Sequence, residues 1–158
     1  MPILYILCGP SGSGKSTWGL NFLSQVENTM YTSRDYFRLS MLKDGEDYFS
    51  HEKEVFKQFV NAIVNSLTHD INIIADATHL NEFSRRKLTQ AIDMFIQDYQ
   101  IVYVIFNTNL KTCLERNAQR TGRANVPETV IRNMFKEFKV PTLDEDERAI
   151  DIMEINDD

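Results

Sequence analysis

The chain has 158 residues, of which 42% are hydrophobic and 25% are charged, and its formal net charge is −6. This length suits one domain with a single core, and the composition excludes a disordered, fibrous or disulfide-stapled chain. No apolar run approaches the ~20 residues of a membrane span, and the first predicted strand follows Met1 at once. We therefore expect a cytoplasmic protein with no signal peptide and no membrane contact.

The negative charge is concentrated at the carboxyl end of the chain. Residues 137–158 hold nine acids and two bases, which leaves 14 acids and 15 bases in residues 1–136. The larger part of the chain is therefore close to neutral. Its charge alone does not exclude a nucleic acid as partner.

Residues 9–16 read G-P-S-G-S-G-K-S and fit the pattern G-x-x-x-x-G-K-[ST]. The apolar run at residues 3–8 predicts a buried parallel strand before them, and residues 17–23 predict a helix after them. In this context glycines let backbone N–H groups point at an anion at the positive end of the helix. A glycine-rich turn that binds nothing is the alternative, and the flanking strand and helix disfavour it.

The segment is therefore interpreted as a phosphate-binding loop for a nucleotide. Lys15 is expected to reach the β- and γ-phosphates, and the Ser16 hydroxyl is expected to ligate Mg²⁺. The residues expected to bind the nucleotide here are Gly9, Ser11, Gly12, Ser13, Gly14, Lys15, Ser16 and Thr17.

Residues 28–33 predict a second strand, which delivers Asp35 and Arg38 to the sheet edge where open α/β folds bind ligands. Asp35 is suited to accept the proton of an attacking hydroxyl, and a helix-capping or salt-bridged carboxylate is its alternative. Arg38 lies one helical turn further, where its bidentate guanidinium suits a phosphate of the acceptor. A surface arginine without a role is the alternative for Arg38.

Residues 71–75 predict a third strand that ends in an acid, Asp76. An acid at this place, beside a phosphate-binding loop, has the position of a Walker B residue and is a second candidate ligand for Mg²⁺. Thr78 and His79 follow in the same loop and are candidates for contacts with the acceptor. For His79, a hydrogen bond within the loop is an equally supported alternative.

Two helices are predicted around this strand. Residues 50–67 carry apolar side chains at helical spacing, with Ser50 as the expected N-cap. The second helix begins after Asn81, and Phe95 is expected on its buried side. It carries three consecutive bases at 85–87, which are interpreted either as a solvated face or as electrostatic attraction toward a nucleic acid.

The remaining segments complete an alternation of strands and helices. Residues 101–106 predict a fourth strand, residues 108–118 and 127–138 predict helices, and residues 149–155 predict a fifth strand at the sheet edge. This order implies a parallel sheet with helices on both faces and right-handed crossovers. The predicted fold class is α/β, a three-layer P-loop NTPase fold of the kinase type, in a single domain 1–158 with an acidic C-terminal segment.

A polar loop with two arginines precedes the helix at Pro127. In a kinase this loop is the place of a lid that closes over the nucleotide and expels water. One of Arg120 and Arg123 is expected to contact the nucleotide phosphates. Arg116, on the preceding helix, is expected to support the lid.

Four segments resemble the kinase domain of the 5′-hydroxyl polynucleotide kinases. They are G-P-S-G-S-G-K-S-T-W at 9–18, S-R-D-Y-F-R-L-S-M at 33–41, I-I-A-D-A-T-H-L-N at 73–81 and R-N-A-Q-R-T-G-R-A-N-V-P at 116–127. The resemblance extends in order from Ile3 to about Phe138. The phosphate-binding loop is common to many enzymes, whereas the R-D-x-x-R pattern is much more specific.

The resemblance implies a role for several residues. Lys15 and Ser16 bind ATP and the metal, and Asp35 is the general base on the 5′-hydroxyl. Arg38 holds the 3′-phosphate of the acceptor. Arg120, as the first arginine of the lid, contacts the phosphates of the donor.

The resemblance also implies partners and context. It gives ATP and Mg²⁺ as cofactors, a 5′-hydroxyl end of DNA or RNA as substrate, and the host cytoplasm as location if the chain is phage-encoded. It leaves a homo-oligomer open. The lid of this chain is one residue longer than in the family, so Arg123 stays the alternative to Arg120. The chain has no room for the phosphatase domain of the phage enzymes, and a kinase-only protein is expected.

Two other functions are compatible with the sequence. A related P-loop kinase can phosphorylate a nucleoside, a nucleotide, a modified base or another small molecule, because the loop and the acid stay while the acceptor pocket changes. An ATP-binding switch without a product is the other alternative. The switch is disfavoured because it needs no pair such as Asp35 and Arg38.

Overall fold

The computed structural model describes residues 1–122 and 125–156. One parallel sheet of five strands forms the centre of the chain, in the order β2-β3-β1-β4-β5. The strands are β1 (Ile3–Cys8), β2 (Thr29–Ser33), β3 (Asn72–Asp76), β4 (Gln100–Phe106) and β5 (Ala149–Ile155). The predicted P-loop fold is confirmed, and the fifth strand lies at the sheet edge beside β4.

Helices cover both faces of this sheet. They are α1 (Lys15–Leu23), α2 (Arg34–Met41), α3 (Glu52–Thr68), α4 (Glu82–Asp93), α5 (Leu110–Ala118) and α6 (Glu128–Glu137). Alternate residues of β1 point to opposite faces, so Leu4 and Ile6 pack in the core with α3 and α4, whereas Leu7 packs with the aromatic side of α1. Within the described ranges, no helix has both the length and the hydropathy needed to cross a bilayer.

The start of α3 differs from the prediction. His51, not Ser50, occupies the N-cap position, and its side chain makes no capping hydrogen bond. Ser50 lies one residue before this position, in a turn in which its hydroxyl donates to the backbone oxygen of Asp47 at 2.6 Å. The helix consequently begins at Glu52, a residue that enters the functional site.

The ends of α4 show one confirmed prediction and one error. Asn81 caps the helix through a capping box with Ser84, as expected for an asparagine before the first turn. Phe95 is 67% exposed, and its predicted burial is wrong. The helix ends at Asp93, so the helical period that placed Phe95 inward no longer applies there.

Arg85, on α4, is a second residue that the pattern misplaced. Its side chain is 2% exposed and forms an ion pair with Glu145, whose carboxylate oxygens lie 2.8 and 2.9 Å from the guanidinium. A third donor of Arg85 reaches the backbone oxygen of His79 at 2.9 Å. A solvated face is therefore wrong for Arg85, and part of the acidic C-terminal segment packs against α4 through Glu145.

Candidate active site at the carboxyl end of the sheet

The phosphate-binding loop connects β1 to α1, and two glycines set its shape. Gly12 and Gly14 have φ values of 84° and 94°, left-handed conformations that favour glycine. A Cβ on Gly12 would come within 2.7 Å of the backbone oxygen of Cys113. Arg116 donates to the backbone oxygen of Gly12 at 3.2 Å. Helix α5 therefore packs against the loop, and Arg116 contacts this loop. Its expected support of the lid stays a prediction.

Lys15 is the first residue of α1 and is buried inside the loop. Its Nζ donates to the backbone oxygens of Gly9 and Pro10, both at 2.8 Å. Burial lowers the pKa of Lys15, while the negative charges of Asp76 and Asp35 raise it. The ammonium group thus lies within the influence of two carboxylates from different parts of the site.

Ser16 and Asp76 come together, as the sequence predicted for a cation site. The Ser16 hydroxyl donates to Asp76 Oδ2 at 2.7 Å, and the Tyr31 hydroxyl donates to the same oxygen. Burial raises the pKa of Tyr31, and the charge of Asp76 raises it further. Hydroxyl and carboxylate oxygens are ligands that Mg²⁺ accepts, and Mg²⁺ is usually held by one or two carboxylates together with waters and phosphates. The residues present therefore fit that ion.

Asp35 and Arg38 lie on the first turns of α2, within a small hydrogen-bonded network. Asp35 Oδ1 accepts from Arg38 and from the Tyr48 hydroxyl, the latter at 2.7 Å. Arg38 Nε and Nη2 donate to the two carboxylate oxygens of Glu52 at 2.7 and 2.6 Å. Arg38 is only 8% exposed, so its interpretation as a surface arginine is wrong. The salt-bridged alternative for Asp35 is present in the structure.

Glu52 therefore occupies one edge of the Arg38 guanidinium. It accepts from Nε and Nη2, while Nη1 faces Asp35 and Tyr48. All three guanidinium nitrogens of Arg38 thus have partners within the protein, and an anion that approaches Arg38 must share or displace one of them. The sequence analysis did not identify Glu52 as a site residue, although the sequence places it near the start of a predicted helix.

Two aromatic rings complete this side of the site. The Arg38 guanidinium carbon lies 5.0 Å from the ring centre of Tyr48 and 5.4 Å from that of Phe49, within the range of cation–π contacts. The two rings meet edge to face, with centres 4.7 Å apart. Burial raises the pKa of Tyr48 to about 12, together with the charge of Asp35. Phe49 stays 47% exposed.

The two groups of residues line one cleft. From the loop, it is lined by Ser11, Gly12, Gly14, Lys15, Ser16 and Thr17. From the other predicted site residues, it is lined by Asp35, Arg38, Asp76, Thr78 and Arg120. The positive charge of Arg120 also lowers the pKa of Lys15, as expected for two cations that share a site.

Other predicted site residues do not line the cleft. Gly9 donates its backbone N–H to the backbone oxygen of Thr78 at 2.9 Å, and Ser13 is buried. His79 is also buried, and its Nδ1 donates to the backbone oxygen of Leu7 at 2.7 Å, so the loop hydrogen bond is the alternative found. Burial lowers the pKa of His79 to about 3. Arg123 lies outside the described residues.

Comparison with known proteins gives matches over most of the chain. A family model described as an AAA domain matches residues 4–141. A protein of Autographa californica nuclear polyhedrosis virus, named for polynucleotide kinase and RNA ligase activities, is 25% identical over 154 residues. This alignment covers 85% of the chain and 20% of the viral protein.

Solved structures match the same region. A structure described as the Pnkp1/Rnl/Hen1 RNA repair complex aligns over 86% of this chain and 43% of the matched chain, with a TM-score of 0.73 and 25% identity. A fungal RNA kinase aligns over 97% of this chain and 38% of its own, with a TM-score of 0.66 and 13% identity, which shows a shared fold alone. The chain thus spans less than half the length of these relatives.

Proposed function

The chain belongs to the AAA domain family of P-loop proteins, and we propose that it is a kinase that transfers the γ-phosphate of ATP to the 5′-hydroxyl end of a DNA or RNA strand. One observation carries the proposal. A phosphate-binding loop and the pair formed by Asp35 and Arg38 line the same cleft. Relatives that are named for polynucleotide kinase activity support the choice of acceptor.

The donor end of the cleft is defined here as residues 9–16 with Asp76. Backbone N–H groups of the loop and the N-terminus of α1 attract the phosphates of ATP. Lys15 exchanges its carbonyl contacts for oxygens of the β- and γ-phosphates. Ser16 and Asp76 hold Mg²⁺, which supplies neutralisation of the phosphate charge when it is bound.

The acceptor end is defined as Asp35, Arg38, Tyr48, Phe49 and Glu52. The 5′-oxygen attacks the γ-phosphorus, the bond from that phosphorus to the bridging oxygen breaks, and ADP leaves with that oxygen. The hydroxyl proton passes to Asp35. The hydrogen bonds from Arg38 and Tyr48 both fall on Asp35 Oδ1, and in the described part of the chain Oδ2 accepts none, so Oδ2 is the oxygen that faces the substrate.

Arg120 provides a further cation for the transferring group. It lines the cleft and acts electrostatically on Lys15. A guanidinium in this place stabilises the negative charge that spreads over the γ-phosphoryl oxygens during transfer. Arg123 keeps its place as the alternative lid arginine.

Phe49 supports a nucleotide end over a sugar or another polar alcohol as acceptor. Its ring is 47% exposed, lines the cleft and lies beside Arg38. A flat apolar surface of this kind stacks with any nucleobase and offers no hydrogen bond to a polyol. Arg38, next to it, suits the phosphate that follows the first nucleoside.

The test is transfer of label from γ-labelled ATP, with Mg²⁺, to a panel of acceptors. The panel contains 5′-hydroxyl oligonucleotides of DNA and RNA, the same oligonucleotides with a 5′-phosphate, nucleosides, 3′-nucleotides and a hexose. Label is expected on the 5′-hydroxyl oligonucleotides, and the 5′-phosphorylated ones are the matched control because they lack only the attacking group.

Three results would argue against the proposal. Label on nucleosides or the hexose alone would favour a small-molecule kinase. Steady ATP hydrolysis without any transfer would favour the nucleotide-binding switch. Equal labelling of the 5′-phosphorylated control would show that a group other than the 5′-hydroxyl is the acceptor.

A further inference from the structure

Phe56, on the first turns of α3, lies between two cations that come from different helices. The guanidinium carbon of Arg34 is 5.4 Å from its ring centre, and the Lys87 ammonium nitrogen is 5.0 Å from the same centre. The ring thereby contacts one cation from α2 and one from α4. Arg34 and Lys87, with Phe56 between them, are called the basic track below.

One end of the basic track opens into the cleft. Arg34 lines the cleft beside Asp35 and Arg38 and shares the Glu52 carboxylate with Arg38, at 3.2 Å. Arg34 Nε is buried and has no hydrogen-bond partner in the described structure. A single carboxylate thus serves two arginines, and Arg34, which also lines the cleft, makes fewer side-chain hydrogen bonds than Arg38 within the described residues.

The other end of the basic track is Lys87, which differs from the two bases before it. Arg85 is buried against Glu145, and Arg86 pairs with Glu82 at 2.7 Å. Lys87 is exposed and forms no ion pair with any residue that the structure describes. Of the three consecutive bases, it alone contacts a residue that also contacts Arg34.

These contacts form a continuous series from the reaction site to the protein surface: Arg38, Glu52, Arg34, Phe56 and Lys87. With Asp35 counted beside Arg38, three cations and two acids leave one positive charge along this path. Successive phosphates of one nucleic-acid strand carry the matching negative charges. A small-molecule acceptor would extend no further than Arg38.

We propose that the basic track binds the phosphates that follow the first phosphate of the acceptor strand, so that Arg34 and Lys87 make the enzyme prefer a polynucleotide over a mononucleotide. The proposal rests on the proposed function and adds a binding site for the second and third phosphates. Arg34 holds the phosphate next to the one at Arg38, and Lys87 holds the following one.

The test compares the KM values of acceptors that differ only in length, each with a 5′-hydroxyl and a 3′-phosphate: a mononucleotide, a dinucleotide and a trinucleotide. With the parent chain, KM falls as each phosphate is added. Lys87→Gln raises the KM of the trinucleotide up to about fivefold, as expected for one exposed ionic contact. The KM of the mononucleotide stays unchanged.

The salt dependence of the trinucleotide KM gives a second measure. Loss of one phosphate contact on a single strand lowers the slope of log KM against log salt by about 0.7. Arg86→Gln is the matched control, because it removes the same charge from the neighbouring position of α4 without touching Phe56. It should change neither the KM nor the slope, and Lys87→Arg should keep both.

Three results would contradict the proposal, and they differ in what they imply for the proposed function. If the parent chain phosphorylates oligonucleotides but its KM is independent of length, the basic track is wrong and the proposed function stands. If Arg86→Gln and Lys87→Gln have equal effects, the contact is general attraction and the proposal is overturned. If no oligonucleotide is phosphorylated, both the proposed function and the track fail.

Discussion

The two ends of the cleft are built in different ways. The donor end is a short stretch of backbone between β1 and α1, whose shape depends on left-handed glycines and on the packing of α5 against Gly12. The acceptor end is a set of side chains from α2, from the turn before α3 and from the first residue of α3, joined through Glu52 and Asp35. One end is held by main-chain geometry, the other by ion pairs and rings.

This difference teaches how the cleft can keep its donor while its acceptor changes. Substitution in the loop disturbs backbone groups that any nucleotide triphosphate needs. Substitution at Tyr48, Phe49 or Glu52 alters side chains that only an acceptor and its immediate neighbours meet. We therefore expect mutations at the two ends to separate in their effects on the KM of ATP and on the KM of the acceptor.

A large effect on every acceptor is expected at the donor end, from Lys15→Met. The change keeps the length of the side chain but removes the charge that would stabilise the γ-phosphoryl group. We expect kcat to fall by about 10²–10³-fold with every acceptor, because removal of one preorganised group that stabilises transition-state charge has an effect of this size. Steady-state kinetics with two acceptors of different length measure it. A loss confined to one acceptor would contradict the separation of the two ends.

The acceptor end is tested next by Glu52→Gln. The carboxylate of Glu52 holds Arg38 through two hydrogen bonds and Arg34 through a third. Without its charge, Arg38 is left with Asp35 as its only carboxylate partner in the described structure. We expect kcat/KM for the acceptor to fall by about 10–10²-fold, because Arg38 loses the carboxylate that holds its guanidinium in place and misplaced positioning groups have effects of this order.

The matched control for this change is Glu54→Gln, on the same first turn of α3. Glu54 accepts a hydrogen bond from Gln58 at 2.9 Å and is exposed. The KM of ATP should stay within about twofold in both variants, because neither removes a cation of the loop. A rise in the KM of ATP with Glu52→Gln would show that the two ends are not independent.

A smaller effect is expected from Phe49→Ala. Stacking of one base on an aromatic ring contributes ~1–3 kcal/mol, and the half-exposed ring of Phe49 suits the lower limit. We expect the KM of the acceptor to rise about fivefold while kcat changes little. Phe49→Tyr keeps an aromatic face and should keep the KM. Equal KM values for the parent chain and both variants would show that Phe49 does not contribute to acceptor binding.

The effect furthest from the reaction is expected at His79, which is buried and does not line the cleft. Its pKa is lowered to about 3 by burial, against an ordinary value of 6.5. Between these two values the unfolded chain binds a proton that the folded chain does not, so stability falls as the pH drops below 6.5. This histidine contributes at most ~1.4 kcal/mol per pH unit to the slope of the unfolding free energy against pH.

Urea unfolding at a series of pH values measures this slope. His79→Gln removes the titrating group, and the dependence of the unfolding free energy on pH should become shallower between pH 4 and 6 by up to ~1.4 kcal/mol per unit. The substitution can also change the stability of the fold at every pH. The variant and the parent chain are therefore compared by the slope of the unfolding free energy against pH, and not by its absolute value. An unchanged slope would contradict the burial of a neutral imidazole.

The sequence predicted the donor end closely for a physical reason. Lys15 and Ser16 belong to a contiguous motif, and Asp76 follows a strand whose carboxyl end must lie beside the loop in a parallel sheet. Such positions follow from local pattern and topology. Tyr31 was missed because its contact with Asp76 depends on side-chain direction at the sheet edge, which the pattern does not contain.

The acceptor end was predicted only in part. Asp35 and Arg38 were identified from their spacing, but Glu52 lies 14 residues beyond Arg38 and acts through the packing of α3 against α2. Arg85 was misplaced for a similar reason, because its partner Glu145 is 60 residues away in the acidic segment. Ion pairs between distant segments leave no periodic signal in a single sequence.

The most direct test of the whole account is Asp35→Asn, measured by transfer and by nucleotide binding in parallel. Asn keeps the shape of the side chain and loses its capacity to take the hydroxyl proton. The account predicts that transfer to a 5′-hydroxyl oligonucleotide falls by about 10²–10⁴-fold, while the Kd of an ATP analogue changes by less than about twofold. If transfer survives in this variant, Asp35 is not the group that takes the proton. If nucleotide affinity falls together with transfer, the acceptor end is not distinct from the donor end.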